Sequence, residues 1–93
     1  MRVHVEFQGI SRIAAGVKET TLEVAEGSTF RDVVRMVGEK YPALVGNVIQ
    51  ADGDAFEATL LDQTRKRIIT AAQMDEAPQD GDRITFMSVL TGG

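Results

Sequence analysis

The last residues of the chain, Leu90-Thr91-Gly92-Gly93, are the ones whose types best suit them for chemistry. A C-terminal carboxyl becomes reactive in an ATP-dependent adenylating site, where its oxygen attacks the α-phosphate. A tail that lacks two side chains can lie extended in a narrow channel, because glycine tolerates whichever backbone dihedral angles that path requires. Glycine is also achiral, so its activated acyl group cannot racemise. We therefore expect Gly93 to carry the reactive carboxyl, with Gly92 and Thr91 threading into a partner.

Few other side chains in this sequence are suited to catalysis or metal binding. There is no cysteine, which excludes disulfides, thiolate nucleophiles and cysteine-based metal centres. The one histidine, His4, falls on the polar face of a strand pattern. Asp52-Gly53-Asp54 could begin a calcium-binding loop, but Phe56 stands where such a loop needs another oxygen ligand. We expect no catalytic residue, no metal site and no tightly bound cofactor, hence a protein that is not an enzyme.

Size and charge narrow the class of protein further. The chain has 93 residues, enough for one domain, and 14 acidic against 10 basic residues give a net charge of −4. An acidic surface disfavours nucleic acid and anionic membranes as partners. No apolar run approaches the roughly 20 residues of a membrane span, and no signal-peptide pattern opens the sequence. We expect a cytoplasmic protein made of a domain over residues 1–90 and a flexible tail over residues 91–93.

The elements that must position the tail begin with two strands. Residues 2–8 alternate between apolar and polar side chains, which is typical of a half-buried strand. Residues 19–25 alternate in the same way. The glycine-bounded stretch 9–16 between them reads as a turn region, so the two strands form a predicted hairpin.

After residue 27 the spacing of the apolar residues changes from that of a strand to that of a helix. Phe30, Val33, Val34, Val37 and Tyr41 fall on one helical face. Thr29 followed by Asp32 is a variant of the capping box, and Pro42 should end the helix before it. The sequence therefore predicts a helix over residues 29–40.

The second half of the chain alternates short elements with turns. Around residues 43–49 the apolar residues could form a helical turn beneath the sheet, and 71–80 is irregular and acidic. A turn is predicted at 51–54, and strands at 56–61, 67–70 and 83–90, the first two joined by the polar run 62–66. In the last strand Ile84 and Phe86 should face inward, with Thr85 and Met87 outward.

The order strand, strand, helix, strand, strand, strand predicts an α+β domain. The first hairpin and the final strand can pair only if the chain returns to the centre of the sheet after the helix. That arrangement is the β-grasp, or ubiquitin-like, architecture, a mixed sheet of about five strands with one main helix.

Two segments give the sequence a family resemblance. Residues 80–86, Asp-Gly-Asp-Arg-Ile-Thr-Phe, together with Thr91-Gly92-Gly93, resemble the ending of the ubiquitin-like sulfur carriers. That family includes the small subunit of molybdopterin synthase and the sulfur carrier of thiamine biosynthesis. The helix opening at 26–29 is similar as well. Ser88 and Val89 stand where many molybdopterin-type members have a proline pair, and the stretch 45–58 is longer than in the shortest members.

The resemblance implies a specific function. An E1-like enzyme would adenylate Gly93 with ATP, a sulfur donor would convert it to a thiocarboxylate, and the carrier would serve molybdenum-cofactor synthesis beside a molybdopterin synthase large subunit. Sulfur carriage for thiamine, tRNA thiolation or cysteine synthesis stays open. So do conjugation to protein lysines through Gly93 and a plain interaction module.

Several surface features have competing interpretations. Met87, and with it Phe86, could dock on an activating enzyme, although Phe86 also fits the core. The basic run 65–67 is best interpreted as a solvated hairpin. Acidic residues before the last strand could steer a basic partner or simply form turns; they are Asp75, Glu76, Asp80 and Asp82.

Overall fold

The structure is a computed structural model that describes residues 1–46, 49 and 60–87. Within those residues the chain forms strands, two α-helices and two single-turn 3-10 helices. In chain order they are β1 (Arg2–Gln8), α1 (Ile10–Ala15), β2 (Glu19–Glu23), α2 (Phe30–Lys40), a 3-10 helix (Pro42–Leu44), β3 (Leu60–Asp62), β4 (Arg67–Ile68), a 3-10 helix (Ala71–Gln73) and β5 (Arg83–Met87).

The five strands make one mixed sheet in the order β2-β1-β5-β3-β4. β1 pairs antiparallel with β2 and parallel with β5, whereas β3 pairs antiparallel with both β5 and β4. The last strand therefore lies at the centre of the sheet, beside the first. The β-grasp architecture predicted from the order of elements is confirmed.

One face of the sheet is buried under α2. The helix turns Phe30, Val33, Val34 and Val37 inward, and all four are fully buried. The alternate residues of β1 meet them as predicted; Phe7 stacks on Phe86 with ring centroids 6.0 Å apart. The buried apolar residues are Val3, Val5, Phe7, Leu22, Val24, Phe30, Val33, Val34, Val37, Leu44, Ile49, Leu60, Ile69, Met74, Ile84 and Phe86. The sheet's other face is left without a covering helix among the described residues.

The predicted capping box at the start of α2 is confirmed. The Thr29 hydroxyl accepts from the Asp32 backbone N–H at 3.2 Å, and the Asp32 carboxylate accepts from the Thr29 N–H at 3.0 Å. These bonds satisfy two of the helix's unpaired donors. Because they favour the charged carboxylate, the pKa of Asp32 lies below its ordinary value.

The turn predicted over residues 9–16 is wrong in its interior, because residues 10–15 form helix α1. Gly16 ends the helix in the left-handed conformation, φ 77°, where its N–H donates to the Arg12 carbonyl. The two bounding glycines were recognised in the sequence. The helix between them was not, because its inward face carries small residues rather than a large apolar stripe.

The segments after α2 agree in part with the sequence. A 3-10 turn does follow the helix, with Leu44 and Ile49 buried. Three predicted segments lie outside the described residues: the turn at 51–54, and residues 56–59 and 88–90 of the predicted strands. The strand predicted over 67–70 is shorter, and the irregular stretch 71–80 includes a 3-10 turn at 71–73.

Thr85 departs from its predicted exposure. By register it lies on the uncovered face, opposite Glu6 on one side and Leu61 on the other, yet its side chain is fully buried. A central strand has neighbours on both sides, and the Gln63 amide donates to the Thr85 hydroxyl at 3.1 Å. Alternation alone does not reveal this kind of lateral cover.

Candidate functional site

The reactive group predicted from the sequence is the Gly93 carboxyl, with Thr91 and Gly92 before it. All three lie outside the described residues, as does the predicted boundary between residues 90 and 91. The structure does describe the base of this segment, which is strand β5 up to Met87. The site is therefore built from what holds β5 and from the surfaces around it.

Strand β5 is paired with β1 along its whole length and with β3 over its three central residues. Its residues pair with β1 from His4↔Arg83 to Gln8↔Met87, and with β3 from Leu60↔Phe86 to Asp62↔Ile84. Ile84 and Phe86 are buried in the core as predicted. A chain that continues beyond Met87 thus starts from a central strand of the sheet.

A buried serine ties the end of β5 to α1. The Ser11 hydroxyl lies 2.7 Å from the Phe86 carbonyl oxygen and 2.5 Å from the Gln8 carbonyl oxygen, so its one proton is shared between two acceptors. The same hydroxyl accepts from the Gln8 backbone N–H at 3.1 Å. Ser11 is fully buried. Because β1 and β5 are parallel, their C-terminal ends meet at one edge of the sheet, and α1 lies at that edge. Sequence reasoning missed this role of Ser11.

The two docking candidates differ in exposure. Phe86 is fully buried, so it offers no surface to a partner and its place in the predicted docking set is corrected. Core packing against Phe7 explains its position. Met87 is half-buried on the uncovered face, and its contribution to docking stays a prediction.

The uncovered face of the sheet has an apolar half and a charged half. Leu61 pairs directly with Ile68, which is 48% exposed, and both share their face with Met87 by alternation. A shallow depression of about 230 Å³ includes Leu61 and Ile68 in its lining. We name Leu61, Ile68 and Met87 the sheet patch. The first two were not singled out in the sequence, although the alternation in residues 60–62 places Leu61 there.

The charged half covers β1, β2 and the start of β5. Arg83 pairs with Glu6 and lies 3.9 Å from Glu19, and Arg2 pairs with Glu23 at 2.9 Å. His4 is on this half, with Nδ1 3.2 Å from the Thr21 hydroxyl. The charges are largely matched within the molecule, so they give this half little net attraction for a partner.

An ionic network fixes the β3–β4 hairpin to the turn before β5. Arg65 Nη1 lies 2.9 Å from a carboxylate oxygen of Asp62 and 2.9 Å from one of Asp82. Arg67 joins Asp62 at 3.2 Å and Glu76 at 3.0 Å. Burial raises the pKa of Asp62, but hydrogen bonds from the two arginines lower it by more, so its pKa lies below the ordinary value.

This network shows how both charged runs are used within the domain. The hairpin expected around residues 65–67 is present. Its two arginines are bound to carboxylates, whereas Lys66 has no ion pair with a described residue. The acidic residues before β5 are used internally, since Asp82 is buried and the Asp80 carboxylate accepts from the Arg2 backbone N–H at 2.7 Å. Turn formation and pairing account for them.

Among the described residues, no three or more histidine or acidic side chains come together in a group that could hold a metal ion. Nor does any helix in the described segments have the length and apolar character to cross a membrane.

The family of the chain follows from its sequence. The model of the ThiS family matches residues 5–93, nearly the whole chain, and the protein therefore belongs to this family. Its members are small carrier proteins of the ThiS and MoaD type that work with E1-like activating enzymes. A search of curated protein sequences finds no significant match.

Solved structures share the fold over the full chain. Small archaeal modifier protein 1 of Haloferax volcanii is 20% identical, with TM-score 0.82 and full coverage of both chains. The protein of that name from Methanosarcina acetivorans is 27% identical, with TM-score 0.74 and coverage of 99% of this chain and 96% of that one. A Pyrococcus furiosus protein provisionally described as molybdopterin converting factor, subunit 1, is 21% identical, with TM-score 0.73 and coverage of 95% and 97%.

Proposed function

We propose that this protein is a sulfur carrier whose Gly93 carboxyl is adenylated and then converted to a thiocarboxylate. The observation that carries the proposal is the family match, which runs through Gly92-Gly93 to residue 93. The proposal requires Gly93 to hold the free carboxyl of the mature protein, and the experiment below tests that as well.

The chemistry proceeds in two balanced steps. A carboxylate oxygen of Gly93 attacks the α-phosphorus of ATP, the bond to the β-phosphate oxygen breaks, and pyrophosphate leaves. A sulfide-equivalent donor then attacks the acyl carbon, AMP leaves, and the terminal carboxyl has exchanged one oxygen for sulfur. The carrier contributes the substrate carboxyl and its position, while the activating enzyme supplies ATP and the catalytic side chains.

The described structure supports this division of work. β5 is paired on both sides, and Ser11 fixes the carbonyl of its penultimate described residue, so the base of the tail has one defined position. Rigid presentation of a short segment lowers the entropy lost when a partner takes it up. The two terminal glycines add no side chain that a narrow channel would have to accommodate.

For the pathway we propose molybdenum-cofactor synthesis, with this protein as the small, non-catalytic subunit beside a molybdopterin synthase large subunit. The support is the resemblance of residues 80–86 and 91–93 to that branch of the family. Sulfur delivery for thiamine, tRNA thiolation or cysteine synthesis is the alternative outcome of the same experiment.

A second function is conjugation of Gly93 to lysine amines of other proteins. The observation that favours it is the likeness to the small archaeal modifier protein 1 of Methanosarcina acetivorans, at 27% identity over nearly all of both chains. Both functions share the adenylation step. They separate afterwards, according to whether sulfur or an amine displaces AMP.

The test incubates the full chain with the E1-like enzyme of its source organism, ATP and sulfide, and measures the intact mass. We expect an oxygen-to-sulfur exchange at Gly93 in the full chain, and none in a matched variant that ends at Gly92. Adding the molybdopterin synthase large subunit and the pterin precursor should then consume the thiocarboxylate.

Each alternative has its own result. Isopeptide-linked Gly-Gly remnants on cellular lysines, without a thiocarboxylate, would establish the modifier. A chain that is never adenylated, and whose cellular role survives removal of Gly92 and Gly93, would overturn both and leave an interaction module.

A further inference from the structure

Helix α1 and the loop after it expose apolar side chains at the edge of the sheet. Ile13 is 82% exposed and Val17 is 38% exposed, the former being the most exposed large apolar side chain among the described residues. Both contribute to the lining of a shallow depression of about 320 Å³. A single exposed apolar residue is ordinary on a protein surface. The charges around Ile13 and Val17, however, are unusual for this protein.

The same segment is basic in an acidic protein. Residues 7–18 contain Arg12 and Lys18 and no aspartate or glutamate. In the described structure each of the other arginines forms an ion pair, and Arg12 is the exception; the paired ones are Arg2, Arg31, Arg35, Arg65, Arg67 and Arg83. Lys18 likewise has no ion pair with a described residue. Neither cation is therefore neutralised by a carboxylate of the described residues.

This surface lies beside the end of strand β5, the strand that precedes the tail in the sequence. Ser11, in the first turn of α1, reaches the carbonyl of Phe86 at the end of β5. The chain leaves β5 at this edge on its way to Gly93. A protein that takes up residues 88–93 from this edge comes within reach of α1.

We propose that Arg12, Ile13, Val17 and Lys18, which we name the α1 surface, dock on the enzyme that activates Gly93. The complementary surface on that enzyme is an apolar spot bordered by carboxylates, beside the channel that receives the tail. Ile13 fills the apolar spot, and the two cations set the orientation and speed the encounter. This inference rests on the proposed function, and it adds the surface and its chemistry.

The residue types at these positions fit the inference. Isoleucine forms helix less readily than alanine, arginine or lysine, and at 82% exposure Ile13 gains little from packing. It therefore does little for the stability of the free domain. Desolvation against a partner would bury most of that side chain, in the way interface anchors do.

The experiment measures pyrophosphate exchange by the E1-like enzyme with the full carrier as the varied substrate. Ile13→Ser and Arg12→Glu should each raise KM about tenfold with kcat little changed, since they remove binding that is shared by ground and transition states. The matched control is Arg35→Glu on the exposed face of α2, which should leave KM unchanged. Among the described residues Arg35 has one ion pair, with Asp32, and it is long at 4.0 Å. Thermal melting should show all three variants as stable as the wild type.

Ionic strength supplies a second, independent readout. The KM of the wild type should rise with added salt, because screening weakens the attraction of Arg12 and Lys18 to carboxylates. The KM of Arg12→Glu should depend on salt less, or in the opposite direction.

The outcomes separate this inference from the proposed function. If the wild type is activated and KM is the same in Ile13→Ser, Arg12→Glu and the control, the α1 surface plays no part and the sulfur-carrier proposal stands. Equal losses in Arg35→Glu and Arg12→Glu would show a general charge effect and also overturn the inference. A wild type that the enzyme does not activate would overturn both.

Discussion

The Asp62 carboxylate is fully buried and shared by two arginines, so it is the single charge on which the β3–β4 hairpin most depends. Replacing one partner of a buried pair leaves the other charges uncompensated. We expect Asp62→Asn to lower the free energy of unfolding by roughly 2–4 kcal/mol, below the largest losses for such pairs because both arginines reach solvent. Urea unfolding at neutral pH measures this. The exposed Asp75→Asn is the control, with no measurable change.

The loss from Asp62→Asn should depend on pH. In the folded protein the pKa of Asp62 lies below its ordinary value, so its stabilising contribution is present above the unfolded pKa of about 3.9 and disappears as the pH falls through the folded pKa. The stability difference between wild type and variant should therefore shrink below about pH 4. A difference that stayed constant down to pH 2 would show that Asp62 acts by shape rather than charge.

Lys66 is the one non-glycine residue with positive φ in the described part of the chain, at 56°. A non-glycine residue in that conformation is destabilised by about 1–2 kcal/mol. Glycine relieves this strain, but its greater conformational entropy in the unfolded chain cancels roughly half of the gain. We expect Lys66→Gly to stabilise the protein by about 0.5 kcal/mol, measured by urea unfolding.

Gly81 is the matched control for that prediction. Its φ is 85°, and a Cβ there would meet no atom within 4 Å, so Gly81→Ala adds backbone strain alone. It should lose about 1 kcal/mol. If Lys66→Gly lost stability too, the Lys66 side chain would be making a contact that outweighs its strain.

At the scale of elements, the sheet patch is the apolar surface on β3, β4 and β5 that no helix of the described segments covers. We expect Ile68→Ser to raise KM for the activating enzyme about three- to tenfold, since a half-exposed aliphatic residue becomes desolvated in a docked complex. Its cost to stability should stay below about 1 kcal/mol. Pyrophosphate exchange and thermal melting measure the two effects.

Val45→Ser is the comparison for the sheet patch. Val45 is about as exposed as Ile68 but lies after α2, with its side chain near Gly38. It should leave KM unchanged. Equal increases in KM at both positions would indicate that the enzyme does not contact the sheet patch.

Elements with a long, regular pattern were predictable from the sequence. β1 and α2 each repeat one period across their whole length, and the cap at Thr29 marks where α2 begins. Helix α1 was not predicted, since its six residues bury Ser11 and half-bury Ile10 and two alanines, which is too short a set to show a helical apolar stripe. Its fold depends on contacts with β1 and β5 that no local pattern encodes.

For the candidate site, too, one part was predictable from the sequence and another part was not. The chemistry expected of Gly92-Gly93 depends on the residue types of the tail itself, so it can be proposed from the sequence alone. The surfaces that surround it are tertiary: Ile68 faces out because Leu61 and Thr85 set the register, and Phe86 is buried because β5 is central. The pairing of Arg65 with Asp82 could not be assigned from the sequence either, because the two residues lie 17 positions apart.

For the whole molecule, the fold and the family give one consistent account. A small domain without cysteine holds its last strand at the centre of a sheet and belongs to a family of carriers. Under the proposed function the domain presents the tail, and the terminal carboxyl is the group that reacts. Stability variants such as Asp62→Asn should alter the lifetime of the folded carrier without altering the chemistry at Gly93.

The measurement that tests the central claim most directly is the intact mass of the protein recovered from its own cells without reducing or alkaline treatment. The account predicts a population heavier by one oxygen-to-sulfur exchange, which fragmentation places on Gly93 as the last residue. The same cells lacking the E1-like enzyme should contain only the free carboxylate. A single carboxylate form in both strains, under conditions that preserve an added thiocarboxylate standard, would contradict the sulfur-carrier function.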